Sequence, residues 1–285
     1  MNKKNFSRII SFTVIIATVF AVVMVTGCIS GDQDETVGED ATTAPVTGTG
    51  ITGNETVYDR TWILKSVYDS ETGDMLMAGD VSATLVLGKD GKMSGNSGCN
   101  NFFGDYELKG DEFKAGLLGS TKMACTDEST ALIESKFLEN LEKASFISNE
   151  KDTLVFYDSD KELILKFDNF FLEDYEWELV SINTGDAVVS VPANTTVTMS
   201  FDEGRITGNA GCNSYFADYI TDGISKIEFG PAGSTEMYCM DEDTMETEYA
   251  YLTLIGEVKT YSFSGGILTF TDGEGVTLLN FIRMS

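Results

Sequence analysis

Apolar positions along the chain fall into three regimes. From Ile9 to Val25 nearly every residue is apolar, behind the cations Lys3, Lys4 and Arg8. From Ile29 to about Val57 the chain is rich in Gly, Thr, Asp and Glu and almost free of large apolar side chains. Beyond Tyr58, short alternating runs are separated by turns and twice give way to a helical spacing. Strands are predicted to begin at Trp62 and Trp177, with alternation over Ala83 to Leu87 and Thr196 to Phe201. The turns Lys89-Asp90-Gly91-Lys92 and Asp202-Glu203-Gly204-Arg205 then reverse the chain as hairpins. Gly110-Asp111 and Asp222-Gly223 mark the next turns. One helix is predicted from about Asp127 to Ala144, with Ile133, Phe137, Leu141 and Ala144 on its apolar face. A second runs from about Glu242 to Val258, with Met245, Leu252 and Ile255 as its stripe. Acidic residues crowd both helix N-termini, where the helix dipole favours them. Each helix is followed by two strands, Thr153 to Tyr157 and Leu163 to Phe167, then Ile267 to Phe270 and Val276 to Ile282. The connection from Asp168 to Asp174 is so short that the two halves are expected to abut.

The first 27 residues read as a secretory signal peptide rather than a fold element. They end in Val25-Thr26-Gly27-Cys28, which resembles the lipobox of prokaryotic lipoproteins, so Cys28 is the expected lipid attachment site. A plain signal peptide or an uncleaved anchor helix are the alternatives, and the apolar run is a little short for a span of about 20 residues. The cysteine count favours lipidation, since an exported chain with five cysteines has one left over. Residues 28–57 are too polar to offset their ordering entropy and read as a flexible tether. Asn54 and Asn194 begin glycosylation sequons.

The most informative feature is an internal repeat. Gly95-Asn96-Ser97-Gly98-Cys99-Asn100-Asn101-Phe102-Phe103-Gly104-Asp105-Tyr106 recurs as Gly208-Asn209-Ala210-Gly211-Cys212-Asn213-Ser214-Tyr215-Phe216-Ala217-Asp218-Tyr219. Ser120-Thr121-Lys122-Met123-Ala124-Cys125 recurs as Ser234-Thr235-Glu236-Met237-Tyr238-Cys239, and Trp62 to Val67 as Trp177 to Ile182. All three landmarks shift by 113–115 positions. The paired glycines suggest a backbone that needs positive φ or close approach. The Trp start, the Gly-x-Gly-Cys-Asn segment, the Ser-Thr-x-Met-x-Cys segment and the acidic helix, in that order and twice, resemble the META domain, the HslJ-like family. The resemblance covers about residues 58–169 and 173–285. It implies two tandem small antiparallel β-barrel-like domains, mainly β with one helix each (an α+β description). It also implies an envelope or surface location and roles around stress and drug tolerance; no biochemical activity is established for the domain.

Charge narrows the partners. With 46 acidic against 19 basic residues the net charge is −27, which argues against nucleic acid. It also disfavours adsorption to an anionic membrane, leaving a lipid anchor as the expected membrane link. The absence of histidine removes the commonest general base and metal ligand at neutral pH.

Candidate chemistry is sparse. Cys99 and Cys125 are 26 positions apart, Cys212 and Cys239 27. In an oxidising compartment both pairs read as structural disulfides, worth about 3 kcal/mol each on the chain-entropy model. Of the three pairings open to four cysteines, the one within each repeat is expected, because each repeat is a complete unit. Redox-active or metal-binding pairs are the alternative, but the short Cys-x-x-Cys spacing and further zinc ligands are missing. Asn100 and Asn213 could face a ligand, although an Asn in such a segment more often caps its own turn. Glu134 and Glu248 match in position, yet one acid per domain lacks the partner that acid–base pairs need. A structural hydrogen bond or a solvated face is the expected role for each. Asp105-Tyr106 and Asp218-Tyr219 read as the start of a strand, and Trp62 and Trp177 as core residues. The clusters Asp158 to Glu162 and Asp241 to Asp243 lack the ligand spacing of a calcium loop. No metal or cofactor is expected. The reading is a non-catalytic, lipid-anchored surface module that binds an envelope protein, a peptide or a lipid. A purely protective envelope protein and a carboxylate-based hydrolase are the alternatives.

Overall fold

The computed structural model describes residues 57–284. The signal peptide, Cys28, the tether up to residue 56 and the Asn54 sequon lie outside the described residues. In the first copy the elements are β1 (Trp62–Asp69), β2 (Asp74–Met77), β3 (Thr84–Leu87), β4 (Lys92–Asn96), β5 (Asn101–Lys109) and β6 (Glu112–Ser120). They are followed by α1 (Glu128–Lys143), β7 (Phe146–Glu150), β8 (Thr153–Tyr157) and β9 (Leu163–Asn169). Neighbouring strands are antiparallel, in the order β1-β3-β4-β5-β6-β7-β8-β9, and β9 pairs back onto β1 with Trp62 opposite Asn169. The sheet therefore closes on itself as a barrel, which leaves no unpaired edge among these strands. β2 hangs outside the ring on β1. The weakest seam is β6–β7, where one residue pair is extended by Phe113 N–H donating to Ser145 O and Ile147 N–H to Asp111 O, both 2.9 Å.

The second copy repeats this plan with β10 (Glu176–Asn183), β11 (Val188–Ser190), β12 (Thr198–Asp202), β13 (Arg205–Asn209), β14 (Ser214–Thr221), β15 (Ile227–Phe229) and β16 (Gly233–Ser234). Then come α2 (Glu242–Leu254), β17 (Thr260–Ser264), β18 (Ile267–Thr271) and β19 (Thr277–Arg283). The single strand β6 is here split into β15 and β16, because Pro231 has no N–H to give the ladder. Closure across β15 and β17 rests on Ile227 N–H to Lys259 O and Tyr261 N–H to Ser225 O. The architecture is mainly β. The α+β label fits loosely, since one helix per copy adds no layer of its own and lies against the barrel.

The expected hairpins are present, with Gly91 and Gly204 at positive φ in their turns. Asp105-Tyr106 and Asp218-Tyr219 sit inside β5 and β14 rather than at their starts, because each strand begins directly after the Cys-Asn pair. The strands β7 and β17 add a third member to each closing meander. α1 starts at the Asp127 cap, whose carboxylate accepts from Thr130 N–H, and buries Ile133, Phe137 and Leu141. In α2 the stripe holds only at Ile255, buried just past the helix end: Met245 and Leu252 are half-buried, while Thr244, Thr247, Glu248 and Tyr251 face inward. That face meets a polar loop, so hydrophobicity did not mark it.

Trp62 and Trp177 are fully buried, and each indole N–H donates to a carbonyl before its strand, that of Val57 at 3.0 Å and of Leu172 at 3.1 Å. Burying side chains of this size contributes about 1.5–3 kcal/mol each. The second core also takes in Ile63 of the first copy and Phe170 and Leu172 of the connection. Phe170 stacks on Phe263 at 4.7 Å, and the Arg283 guanidinium lies 4.4 Å from the Tyr175 ring centre and 4.5 Å from that of Phe263. Phe102 and Phe137 meet edge to face at 5.3 Å; at the same place in the second copy Tyr215 and Tyr251 meet at 5.2 Å. The two tyrosines share a 2.5 Å hydroxyl contact, so both polar atoms are satisfied inside the core.

The first glycine of each pair is required by close approach. A Cβ on Gly95 would lie 2.0 Å from Thr84 O, and one on Gly208 2.0 Å from Thr198 O. Gly95→Ala is expected to destabilise the protein by at least about 2 kcal/mol in urea unfolding. Gly256→Ala, where a Cβ meets nothing within 4 Å, is expected to stay within about 0.5 kcal/mol.

Candidate functional site

The two segments shared by the repeats converge on the helix glutamate in each copy. After Gly95, the Asn96 side-chain oxygen accepts Gly98 N–H at 2.8 Å and tightens the turn. Gly98 follows at φ 129°, a conformation open to glycine. This turn aims two successive N–H groups, those of Cys99 and Asn100, at Glu134 Oε2, at 3.1 and 2.7 Å. Consecutive backbone N–H groups of this kind form an anion-binding concavity. The Asn100 amide donates to Glu134 Oε1 at 2.8 Å, and the Ser97 hydroxyl lies 2.8 Å from Oε2. Asn100 Oδ1 in turn accepts Met123 N–H at 2.7 Å and the Thr121 hydroxyl at 2.8 Å, while its amide also reaches Met123 O at 3.2 Å. The Cys99–Cys125 disulfide closes the same junction.

The second copy builds the same object. Glu248 accepts Cys212 N–H at 3.0 Å, Asn213 N–H at 2.6 Å and the Asn213 amide at 2.7 Å. Asn213 Oδ1 accepts Met237 N–H and the Thr235 hydroxyl, both at 2.7 Å. Asn209 holds Gly211 N–H at 2.7 Å, with Gly211 at φ 122°, and Cys212 is bonded to Cys239. Ala210 replaces Ser97, so the hydroxyl contact is lost and the backbone donors remain.

Asn100 and Asn213 thus do not cap their own turns. They bridge to strand ends more than twenty residues away and to the helix, and the turn-capping role belongs to Asn96 and Asn209. Sequence reasoning passed over these two asparagines and the threonines Thr121 and Thr235. Their identity in both repeats was the available signal. Lys122 and Glu236, which reverse charge between the copies, are exposed and take no part in the cluster. Of the sequence-predicted residues, each cluster gathers one glutamate, one asparagine and two cysteines.

Burial alone would raise the Glu134 carboxyl, but the hydrogen bonds from the Asn100 amide and N–H, Ser97 and Cys99 N–H outweigh it and hold the group below its ordinary value. The ionised carboxylate is encircled by donors, and no second acid belongs to the cluster to share a proton. Cys99, Cys125 and Glu134 bring their potential ligand atoms within 4.8 Å, but the two sulfurs are bonded to each other and offer no thiolate. The arrangement acts mechanically: it ties the helix N-terminal half, the loop after β4 and the segment after β6 into one rigid junction.

The first copy has a further pin. Lys136, buried on α1, reaches Asp69 at 2.7 Å and Glu71 at 2.8 Å at the end of β1. Ala250 and Thr184 stand at the matching places in the second copy, so both members of the buried pair are absent together. That is the expected pattern, because one buried charge without its partner is strongly unfavourable.

Outside the junction, the same apolar side chains are exposed in both copies. Phe103 lies over Gly119 of the neighbouring strand, and Phe216 over Gly233. Met123 and Met237 are exposed beside the disulfides. Among the described residues no helix is long and apolar enough to cross a membrane. The sequon residue Asn194 donates its amide to Asp241 at 2.8 Å.

Two measurements test the junction. Glu248→Gln turns an amide toward backbone donors and is expected to cost about 2 kcal/mol or more in urea unfolding. For Glu134 the sign follows from its depressed folded pKa: its stabilisation is complete above the ordinary value of 4.5 and is lost as pH falls through the lower folded value. Between pH 6 and 3 the urea midpoint of the wild type is expected to fall, and more steeply than that of Glu134→Gln.

The META domain family matches residues 55–169 and again 171–285. No curated protein matches the chain. A protein from Burkholderia xenovorans, solved by NMR, is 25% identical, with a TM-score of 0.34, over 40% of this chain and 84% of its own. A DUF4847 family protein from Bacteroides vulgatus, solved by crystallography, is 15% identical, with a TM-score of 0.30, over 40% of this chain and 95% of its own.

Proposed function

For a chain that belongs to the META domain family, through two tandem members, we propose a non-catalytic binding module held at the cell surface by a lipid on Cys28. The observation that carries this reading is the fate of the shared carboxylate. Glu134 and Glu248 spend their oxygens on hydrogen bonds that hold the fold together. A general acid or base needs a proton that can leave and a reacting group within reach. Cys99, Cys125, Cys212 and Cys239 are likewise committed to disulfides. What the copies offer outward is an exposed aromatic ring on β5 and β14 and a methionine beside each bridge. Aromatic and Met side chains are enriched in recognition surfaces. The partner is an envelope protein, a peptide or a lipid rather than a nucleic acid, since the net charge is −27. Two disulfides are compatible with an extracytoplasmic site, and the leader ending in Val25-Thr26-Gly27-Cys28 supports the anchor. A role in envelope stress tolerance belongs to the same reading, on the strength of the family resemblance.

Photo-crosslinking in intact cells, with benzoyl-phenylalanine at position 103 or 216, tests the surface. Discrete adducts are expected that are missing when the probe stands at exposed Lys109; adducts no stronger than at Lys109 would count against the reading. In the same cells labelled fatty acid is expected to enter the wild type and not Cys28→Ala.

A further inference from the structure

The first copy carries a cleft beside its helix. It lies between the β2 arm and the start of α1 and has a volume of about 590 Å³. Leu76, Met77, Leu132 and Ile133 supply its apolar walls, and Asp80 and Asp127 its charge. No Lys or Arg lines it. Met77 and Leu132 are 70% and 45% exposed, so apolar surface is open to a visitor. The volume falls in the range of sites for small molecules, about 300–1,000 Å³.

Equivalent positions follow from the backbone. Leu64 N–H donates to Ala83 O, and Leu179 N–H to Val197 O, so Ala83 corresponds to Val197. Asp80 then corresponds to Asn194 and Val81 to Thr195, while the caps Asp127 and Asp241 place Thr130 opposite Thr244. In the second copy Asn194 donates to Asp241 at 2.8 Å, and the Thr195 and Thr244 hydroxyls meet at 2.8 Å. These two bonds fasten the arm to the helix. The first copy can make neither: Asp80 and Asp127 carry like charge, and Val81 has no hydroxyl. The Ser129 hydroxyl and the Thr130 hydroxyl and N–H all donate to Asp127 and hold its carboxyl below the ordinary value. The same substitutions leave two carboxylates beside an apolar wall.

We propose that this cleft binds an organic cation with an apolar body, an amphiphilic amine, and that only the first of the two domains has this site. The apolar part lies along Leu76, Met77, Leu132 and Ile133, and the ammonium group faces Asp80 and Asp127. The site is separate from the exposed rings invoked above, so its failure would leave the binding-module reading standing.

Hexylammonium chloride, with hexanoate and hexanol as controls, is titrated into the full chain while the Met77 and Leu132 methyl resonances are followed. Saturable shifts at one site per chain are expected, with hexanoate at least 10-fold weaker and added salt weakening the ammonium alone. The double variant Asp80→Asn, Val81→Thr installs the second copy's own residues and is expected to weaken binding at least 10-fold. The reciprocal Asn194→Asp, Thr195→Val variant is expected to raise the stoichiometry to two, and serves if the first variant does not fold. Shifts that do not saturate, hexanoate binding as well as hexylammonium, or affinity and stoichiometry unmoved by both variants would overturn the proposal.

Discussion

Each domain hangs on one carboxylate held by two successive backbone N–H groups and an asparagine amide. A barrel closed by hydrogen bonds needs no helix to complete its ladder, so something else must fix where the helix sits. Glu134 and Glu248 do this from the helix side, and the Gly-Asn-x-Gly-Cys-Asn turn does it from the barrel side. The turn can present its N–H groups because Gly95 and Gly208 bring it against the neighbouring strand and Gly98 and Gly211 take positive φ. The disulfide then holds the segment before the helix against the same turn. The polar residues that recur in both copies are therefore accounted for by the hydrogen bonds they make across the junction.

Around that shared junction the copies have diverged in coupled steps. Two phenylalanines in one core become two tyrosines in the other, and the paired hydroxyls satisfy each other where a single one would need another partner. The buried Lys136–Asp69 pair disappears as a pair. Asn194 with Thr195 hydrogen-bonds to the helix in the second domain, while Asp80 with Val81 puts a carboxylate and an apolar side chain at those places in the first. Each change follows the rule that a buried or bridging polar group must keep a partner.

Much of the architecture was legible along the chain. Duplication, the hairpin turns, the extent of α1 and the core tryptophans all follow from local pattern, because alternation, turn residues and helix caps act over a few neighbouring residues. The meander strands β7 and β17 and the true inward face of α2 did not. Phe146 to Glu150 buries only Ile147, and α2 turns Thr244, Thr247 and Glu248 toward a polar partner that hydropathy cannot see.

The site divides along the same line. Residue order alone supplied the recurring Cys, Asn and Glu, since repetition is visible without coordinates. It assigned the asparagines to their own turns, because a capping preference is local. Which oxygen meets which N–H, that Asn96 rather than Asn100 caps the turn, and that Asn194 and Thr195 reach the helix, depend on groups up to about fifty positions apart in the chain. Only closure of the barrel brings those groups within hydrogen-bonding distance, and the energies that sort them act at that range.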